Sequence, residues 1–200
     1  MQKLRVVIAS PSDVREEREA AARIVRGAAE SEPTIECVET FLWEKNVPPG
    51  FSQQPIQIGL IDPLARIADS DILIVLFSRK LGSPIAPGRP TGTEYEFRAA
   101  YESWQTTGRP HIMVYFNDTP FAPATMEEVE QFAALMRFRF SFPAQGLYGT
   151  FRSQSELEAR LAEHIRIVFR EVKARVKKPF SVDDFNARVQ DVDPHDYGRL

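Results

Sequence analysis

Asp71-Ile72-Leu73-Ile74-Val75-Leu76-Phe77 is the stretch of sequence that decides the fold. Its six consecutive large apolar side chains alternate between the two faces of a strand, so both faces must be covered by other elements. This pattern is typical of a central strand in a parallel sheet with helices on either side. The flanking sequence must therefore supply neighbouring strands and covering helices.

Segments typical of strands and of helices alternate on both sides of this stretch. Apolar and β-branched runs predict the other strands at 4–9, 35–43, 111–116 and 147–151. Apolar residues at helical spacing predict helices at 11–30, 54–68, 91–105, 126–138 and 153–176. Pro63 predicts a break or a fresh start within the second of these. Such alternation implies right-handed parallel crossovers. We therefore expect an α/β fold, a three-layer sandwich of about five parallel strands that binds ligands beyond the carboxyl ends of its strands.

The composition of the 200 residues narrows the classes of function. With 25 Lys plus Arg against 28 Asp plus Glu, the formal charge is -3, and no basic field for specific nucleic-acid binding is present. No apolar run approaches the roughly 20 residues that cross a bilayer. The lone Cys37 cannot form an internal disulfide, and with three scattered histidines it gives no metal-ligand spacing. We expect a cytoplasmic protein without a metal site or a membrane partner.

Two regions differ in composition. Residues 1–178 contain all the predicted strands and helices and are expected to form one α/β domain. Residues 179–200 carry five aspartates and little apolar material. This segment is predicted to be an acidic C-terminal extension or a linker.

The loop after the first predicted strand has the pattern of a helix start. In Ser10-Pro11-Ser12-Asp13, a serine N-cap, a proline at the first helical position and a nearby acid all suit a helix N-terminus. Its free amides could bind an anionic ligand at the functional edge of the sheet. An ordinary capped helix without a ligand explains the same residues.

Three further loops reach the same edge. Arg79 and Lys80, just beyond the central strand and Ser78, could hold phosphates or lie in a solvated loop. Trp43, after the second strand, could stack on a base or fill the boundary of the core. Asp118, after the fourth strand, is expected to be a turn residue.

Two glutamates lie near the start of the predicted helix at 91–105. Glu94 has Arg98 four residues on, which predicts an ordinary helix ion pair. Glu96 has only Gly92, Thr93, Ala99 and Ala100 at its helical neighbours, so no local cation is expected to pair with it. Glu96 also flanks the apolar stripe of the helix. We therefore expect its carboxylate to point into the cleft above the sheet.

A series of motifs between residues 4 and 117 resembles a known family. The motifs are Ser10-Pro11-Ser12-Asp13-Val14 with Glu17-Arg18, Trp43-Glu44, Asp71-Ile72, Leu81-Gly82-Ser83-Pro84 and Gly92-Thr93-Glu94-Tyr95-Glu96-Phe97. In this order they resemble TIR-like domains of formally unknown function, which are often found at the N-termini of larger bacterial signalling and defence ATPases. The resemblance implies a flavodoxin-like sheet. It also implies that the chain associates with itself or with a larger signalling ATPase or sensor module.

Two characterised groups related to that family suggest a chemistry. TIR domains carry a catalytic glutamate on the helix after the third strand and cleave the nicotinamide N-glycosidic bond of NAD. Nucleoside 2-deoxyribosyltransferases carry Gly-Thr-x-x-Glu at the same place, with the glutamate acting on the sugar. Gly92-Thr93-Glu94-Tyr95-Glu96 has this spacing. Both comparisons imply that Glu96 is the catalytic residue.

The chemistry of the leaving group favours NAD over ordinary nucleosides. Nicotinamide leaves a cationic pyridinium as a neutral molecule, so one carboxylate beside the sugar is sufficient and no general acid is needed. A purine or pyrimidine would need protonation, for which only Glu94 or Asp13 offers a second acid at this edge.

We therefore predict a TIR-like effector domain that hydrolyses the N-glycosidic bond of NAD or a related nucleotide as substrate, without a cofactor. Glu96 is the predicted catalytic residue. The predicted substrate-binding residues are Ser10, Ser12, Asp13, Trp43, Ser78, Arg79, Thr93 and Glu94. The alternatives are a non-catalytic self-association module and a deoxyribosyltransferase-like enzyme.

Overall fold

A five-stranded parallel sheet forms the centre of the protein. The computed structural model describes residues 2–32 and 35–177. The strands are β1 (Gln2–Ala9), β2 (Ile35–Phe41), β3 (Ile72–Phe77), β4 (His111–Asn117) and β5 (Gly149–Phe151). Their order across the sheet is β2-β1-β3-β4-β5, and every neighbouring pair is parallel. This order is that of the flavodoxin-like doubly wound fold, as the sequence predicts.

Three long helices and several short helical segments connect the strands, and a fourth long helix follows the last strand. The helices are α1 (Arg15–Glu30), α2 (Trp43–Asn46), α3 (Asp62–Ala65), α4 (Gly92–Thr107), α5 (Met126–Phe140) and α6 (Gln154–Lys177). A 3-10 turn at Ser12–Val14 precedes α1, a π-helical turn at Gln57–Ile61 precedes α3, and a 3-10 turn at Ile67–Asp69 follows it. None of the helices in the described ranges is both long and apolar enough to span a membrane.

The central strand β3 joins two apolar layers. All six of its side chains are buried. Ile72, Ile74 and Leu76 pack in the layer that contains α1 and α6, whereas Leu73, Val75 and Phe77 pack in the layer that contains α3, α4 and α5. Full burial of each such side chain contributes roughly 1.5–3 kcal/mol. The expected three-layer sandwich is confirmed.

The chain changes direction across the sheet between β1 and β3. From β1 it moves outward to β2, then crosses back to form β3 on the other side of β1. The loops after β1 and β3 therefore diverge at their carboxyl ends, which is where open α/β sheets bind ligands. Residues 10–14 and 78–91 form these two loops.

Two local predictions are wrong. The predicted helix at 54–68 is shorter: a π-helical turn runs directly into α3, which contains Pro63, and ends at Arg66, whose φ of 48° is left-handed. A 3-10 turn follows. The predicted strand at 35–43 ends at Phe41, and Trp43 begins α2. The predicted extension at 179–200 lies outside the described residues.

Candidate functional site

The loops after β1 and β3 are tied together at the switch point of the sheet. The backbone N–H of Arg79 donates to the Asp13 carboxylate at 2.9 Å, and Lys80 Nζ donates to Ser12 Oγ at 2.8 Å. The sequence correctly places Ser12, Asp13 and Arg79 at one edge. Ser12 contacts Lys80 and Asp13 contacts the Arg79 backbone, so both residues tie the loop after β1 to the loop after β3.

Ser10 has a different role from the predicted N-cap. Neither the 3-10 turn nor α1 has a side-chain cap at its start. The Ser10 hydroxyl instead accepts a hydrogen bond from Arg18 Nη1 at 2.6 Å, and the Ser10 carbonyl accepts another at 3.2 Å. Arg18 is buried although it is charged. A buried charge is costly unless it is well bonded, so Arg18 fixes the loop after β1 to the body of α1.

The start of α4 is built against both loops. The Thr91 side chain accepts a hydrogen bond from the Glu94 N–H at 3.2 Å, which caps the helix, and donates to the Leu81 carbonyl at 2.9 Å. Gly82 has a φ of 109°, a conformation that residues with a Cβ rarely adopt. A Cβ at this position would contact Thr91 and Pro11. The first turns of α4 are thereby fixed beside the β1 loop.

Glu96 lies in the second turn of α4 and is 6% exposed. Gln57, in the π-helical turn after β2, donates from Nε2 to Glu96 Oε1 at 3.1 Å. Gln57 is itself buried, and a Cβ added to Gly92 would lie 2.8 Å from its Oε1. The helix after β3 and the segment after β2 thus meet at a buried carboxylate and amide. The sequence did not single out Gln57, because its partner is 39 residues away.

The residues on either side of Glu96 have separate partners. Glu94 pairs with Arg98 at 2.6 Å, as its spacing predicts, and Thr93 is buried. The Tyr95 hydroxyl donates to the Asp62 carboxylate at 3.3 Å. Burial, followed by the negative charge of Asp62, raises the pKa of Tyr95 above its usual range. Tyr95 is therefore a neutral donor at physiological pH.

Trp43 remains accessible at the end of β2. It begins α2 and is 40% exposed, so it does not fill the core boundary. An exposed indole at this edge can stack on a planar ring. Trp43 follows β2 at the outer edge of the sheet, whereas Glu96 lies on α4.

A cavity of about 240 Å³ lies beyond the ends of β3 and β4, under α5. Ser78 and Arg79 line it, whereas Glu96 does not. Its other lining residues are Phe116, Asn117, Asp118, Thr119, Pro120, Phe121, Phe132, Leu135, Met136 and Arg139. The structure therefore places Ser78 and Arg79 at this cavity and Glu96 outside it.

Asp118 is more than the predicted turn residue. Arg139 Nη1 donates to its carboxylate at 2.6 Å, and the Arg139 guanidinium lies 5.1 Å from the ring centre of Phe116 and 4.9 Å from that of Tyr148. The hydrogen bond with Asp118 raises the pKa of Arg139 above its usual value. The sequence offered no signal for this pair, because the two residues lie 21 positions apart on different elements.

No metal centre is evident in the part of the chain that the structure describes. Across residues 2–32 and 35–177, no three His, Cys, Asp or Glu side chains are grouped so that they could hold a metal ion.

Comparisons with known proteins give remote structural similarity. No known family and no curated protein matches the sequence significantly. The flavodiiron protein from Giardia intestinalis is similar at 11% identity and a TM-score of 0.44, over 89% of this chain and 38% of that protein. A conserved protein from Enterococcus faecalis V583 is similar at 14% identity and a TM-score of 0.44, over 82% of this chain and 99% of that one.

A third similar structure is the NAD(P)H:quinone oxidoreductase from Methanothermobacter marburgensis, at 12% identity and a TM-score of 0.36, over 82% of this chain and 97% of that one. This chain thus spans 38% of the length of the flavodiiron protein and nearly all of the other two. At these TM-scores the similarities carry no functional argument. The fold assignment rests on the strand order and pairing of this chain itself.

Proposed function

We propose that this chain is a TIR-like effector domain that hydrolyses the N-glycosidic bond of NAD or a related nucleotide, with Glu96 as the catalytic carboxylate. The observation that carries the proposal is the buried Glu96 side chain, which accepts a hydrogen bond from Gln57 near the start of the helix after the central strand. A carboxylate in such surroundings interacts with positive charge far more strongly than one in water.

The reaction needs one carboxylate and one water molecule. As the bond between the anomeric carbon and the pyridinium nitrogen breaks, its electron pair returns to the ring and nicotinamide leaves as a neutral molecule. Positive charge develops on the sugar, where the Glu96 carboxylate stabilises it. Water then bonds to the anomeric carbon and releases one proton, so the products are ADP-ribose, nicotinamide and a proton.

Neighbouring residues have supporting roles in this proposal. Gln57 orients the carboxylate through its amide N–H. Trp43 offers an exposed ring for stacking on a base. Ser10, Ser12 and Asp13 shape the β1 loop, and their contacts with Arg18, Lys80 and the Arg79 backbone keep it in place.

The same contacts argue against a deoxyribosyltransferase. A purine or pyrimidine leaving group needs a proton donor. Glu94 accepts hydrogen bonds from Arg98, and Asp13 accepts one from a backbone amide. Both carboxylates are therefore already engaged by hydrogen-bond donors of the chain itself. NAD, whose leaving group needs no acid, suits these residues better.

Product analysis tests the proposal directly. Concentrated protein is incubated with NAD and with a panel of nucleosides, and the products are separated by chromatography and identified by mass spectrometry. We expect nicotinamide and ADP-ribose from the native chain, and a loss of at least about 100-fold in kcat for Glu96→Gln. Glu102→Gln is the matched control, since Glu102 is an exposed acid on the same helix. Full turnover by Glu96→Gln contradicts the assignment.

A self-association module is the second candidate function. Phe51 and Ile56, in the segment between α2 and the π-helical turn, have largely solvent-exposed side chains. Exposed apolar side chains of this size are common in protein interfaces. Sedimentation equilibrium should then show dimers that Phe51→Ser dissociates without changing Tm. If the native chain is monomeric at every concentration and releases nicotinamide, this candidate fails and the enzyme remains.

A further inference from the structure

We propose that the cavity beyond β3 and β4 is a second binding site, for a single aromatic ring that carries one carboxylate. This site is separate from Glu96, which does not line the cavity. The inference goes beyond the proposed function, because it concerns binding and needs no turnover at Glu96. It rests on Arg79, on the aromatic wall beside it and on the size of the cavity.

Arg79 supplies the positive charge. Its guanidinium lies over the Phe121 ring, 4.8 Å from the ring centre. In the described residues, no carboxylate lies within ion-pair distance of this guanidinium; Asp13 contacts only the Arg79 backbone. A guanidinium presents a planar fork of N–H donors that matches a carboxylate in a bidentate pair. Stacking on Phe121 already restricts the rotamers of Arg79. Arg79 therefore loses less side-chain entropy when it binds an anion.

Arg139 does not add to this charge. Its guanidinium forms an ion pair with Asp118 at 2.6 Å, and both residues are largely shielded from solvent. The two charges cancel, whereas that of Arg79 remains. The cavity therefore has one net positive charge, which suits a monoanion better than a phosphate diester chain with several charges.

The walls favour an aromatic body. Phe121 and Phe132 meet edge to face with ring centres 5.8 Å apart, and Leu135 and Met136 line the same cavity. Flat aromatic rings pack well against such rings and against a thioether. Ser78 and Asn117 lie at the polar side, where Asn117 Nδ2 donates to Ser78 Oγ at 3.1 Å. One apolar wall beside one cationic group matches a ring with one charged substituent.

The volume limits the ligand to one ring. Cavities for drug-sized molecules typically measure about 300–1,000 Å³, and this one measures about 240 Å³. A whole dinucleotide exceeds that space. A ring with a carboxylate fits the volume, the charge and the wall together.

Isothermal titration calorimetry with benzoate tests the site, with benzamide as the neutral molecule of the same shape. We expect benzoate to bind the native chain at least about tenfold more tightly than benzamide, and Arg79→Gln to abolish that difference. Lys80→Gln is the matched control, because Lys80 is the adjacent cation but donates to Ser12 and does not line the cavity. This variant should bind benzoate as the native chain does.

A second variant addresses the cavity itself. Met136→Trp replaces a thioether side chain with a bulkier indole that fills part of the cavity. This variant should not bind benzoate, although circular dichroism and Tm should show a folded chain. Absence of benzoate binding to the native chain, equal binding by Arg79→Gln, or an equal loss in Lys80→Gln would overturn the proposal. Glu96→Gln should still bind benzoate, so failure of this proposal and failure of the proposed hydrolase are distinguished.

Discussion

Because Gly92 has no Cβ, the Gln57 side chain has room to lie beside Glu96. A Cβ at residue 92 would lie 2.8 Å from Gln57 Oε1, closer than packed atoms allow, and the Gln57 side chain is the part that can move. Gly92→Ala should therefore displace the amide that orients the Glu96 carboxylate. We expect kcat for nicotinamide release to fall about tenfold, with Tm changed by less than about 4 °C.

Gly27→Ala is the control for this substitution. Gly27 lies on the exposed side of α1, and a Cβ there would meet no atom within 4 Å. Alanine should stabilise the helix by about 0.4–1 kcal/mol and leave turnover unchanged. Unchanged kcat in Gly92→Ala would show that the contact between Gln57 and Glu96 has no part in turnover.

At the scale of whole elements, the sequence predicted the regular parts well. The apolar run at 71–77 identified the central strand, and the stripe of Leu157, Leu161, Ile165, Val168 and Val172 identified α6; all five side chains are buried. These elements were predictable because strand and helix periodicities are local properties of the sequence. The segment 54–68 was not, because its helical run ends early at Arg66, which adopts a left-handed conformation, and a 3-10 turn follows.

The candidate site was predictable in part, for the same reason. The position of Glu96 near the start of the helix after β3 follows from local spacing and from the rule that ligands bind at the carboxyl edge. Its partner Gln57, the buried pairing of Ser10 with Arg18, and the aromatic wall beside Arg79 depend on tertiary contacts between elements. In the sequence Arg18 stands out only as part of the motif Glu17-Arg18, and its contact with Ser10 becomes visible only in the structure.

Motif residues also serve the fold. Asp71, which opens the central strand, accepts a hydrogen bond from the Arg5 backbone N–H at 2.8 Å and pairs with the Arg109 guanidinium. It thus ties the middle of β1 and the segment just before β4 to the start of β3, at the edge opposite the loops of the candidate site. Asp71, although it belongs to the series of motifs, thus has a role in sheet assembly.

At the scale of the whole molecule, the sheet and the α1/α6 layer are joined by a buried polar contact. The Tyr115 hydroxyl, on β4, and His164 Nδ1, on α6, lie 2.8 Å apart and share a hydrogen bond. Tyr115 is buried, and its desolvation raises the pKa of the phenol well above its usual value of 10, although Arg160 lowers it slightly. The folded chain therefore retains this proton at pH values where the unfolded chain loses it.

This difference makes stability fall at alkaline pH. Below about pH 10, Tyr115 is protonated in both states and adds no pH dependence. Above about pH 10, the unfolded chain loses the proton and the folded chain keeps it, so the contribution of Tyr115 to the free energy of unfolding falls by about 1.4 kcal/mol per pH unit. Tyr115→Phe should be about 1 kcal/mol less stable than the native chain at pH 7 because it lacks the hydrogen bond to His164.

Urea denaturation of the native chain and of Tyr115→Phe between pH 7 and 11 measures this effect. The native chain should lose its advantage as the pH rises above about 10, and by about pH 11 the phenylalanine variant should be the more stable of the two, because it has no phenol whose ionisation favours the unfolded state. Tyr101→Phe is the control for the loss of a phenol, since the Tyr101 hydroxyl contacts Gln145 in an exposed position. A constant difference between Tyr115→Phe and the native chain across this range would mean that Tyr115 ionises as readily in the folded protein as in the unfolded chain, and that the hydroxyl between β4 and α6 is open to solvent.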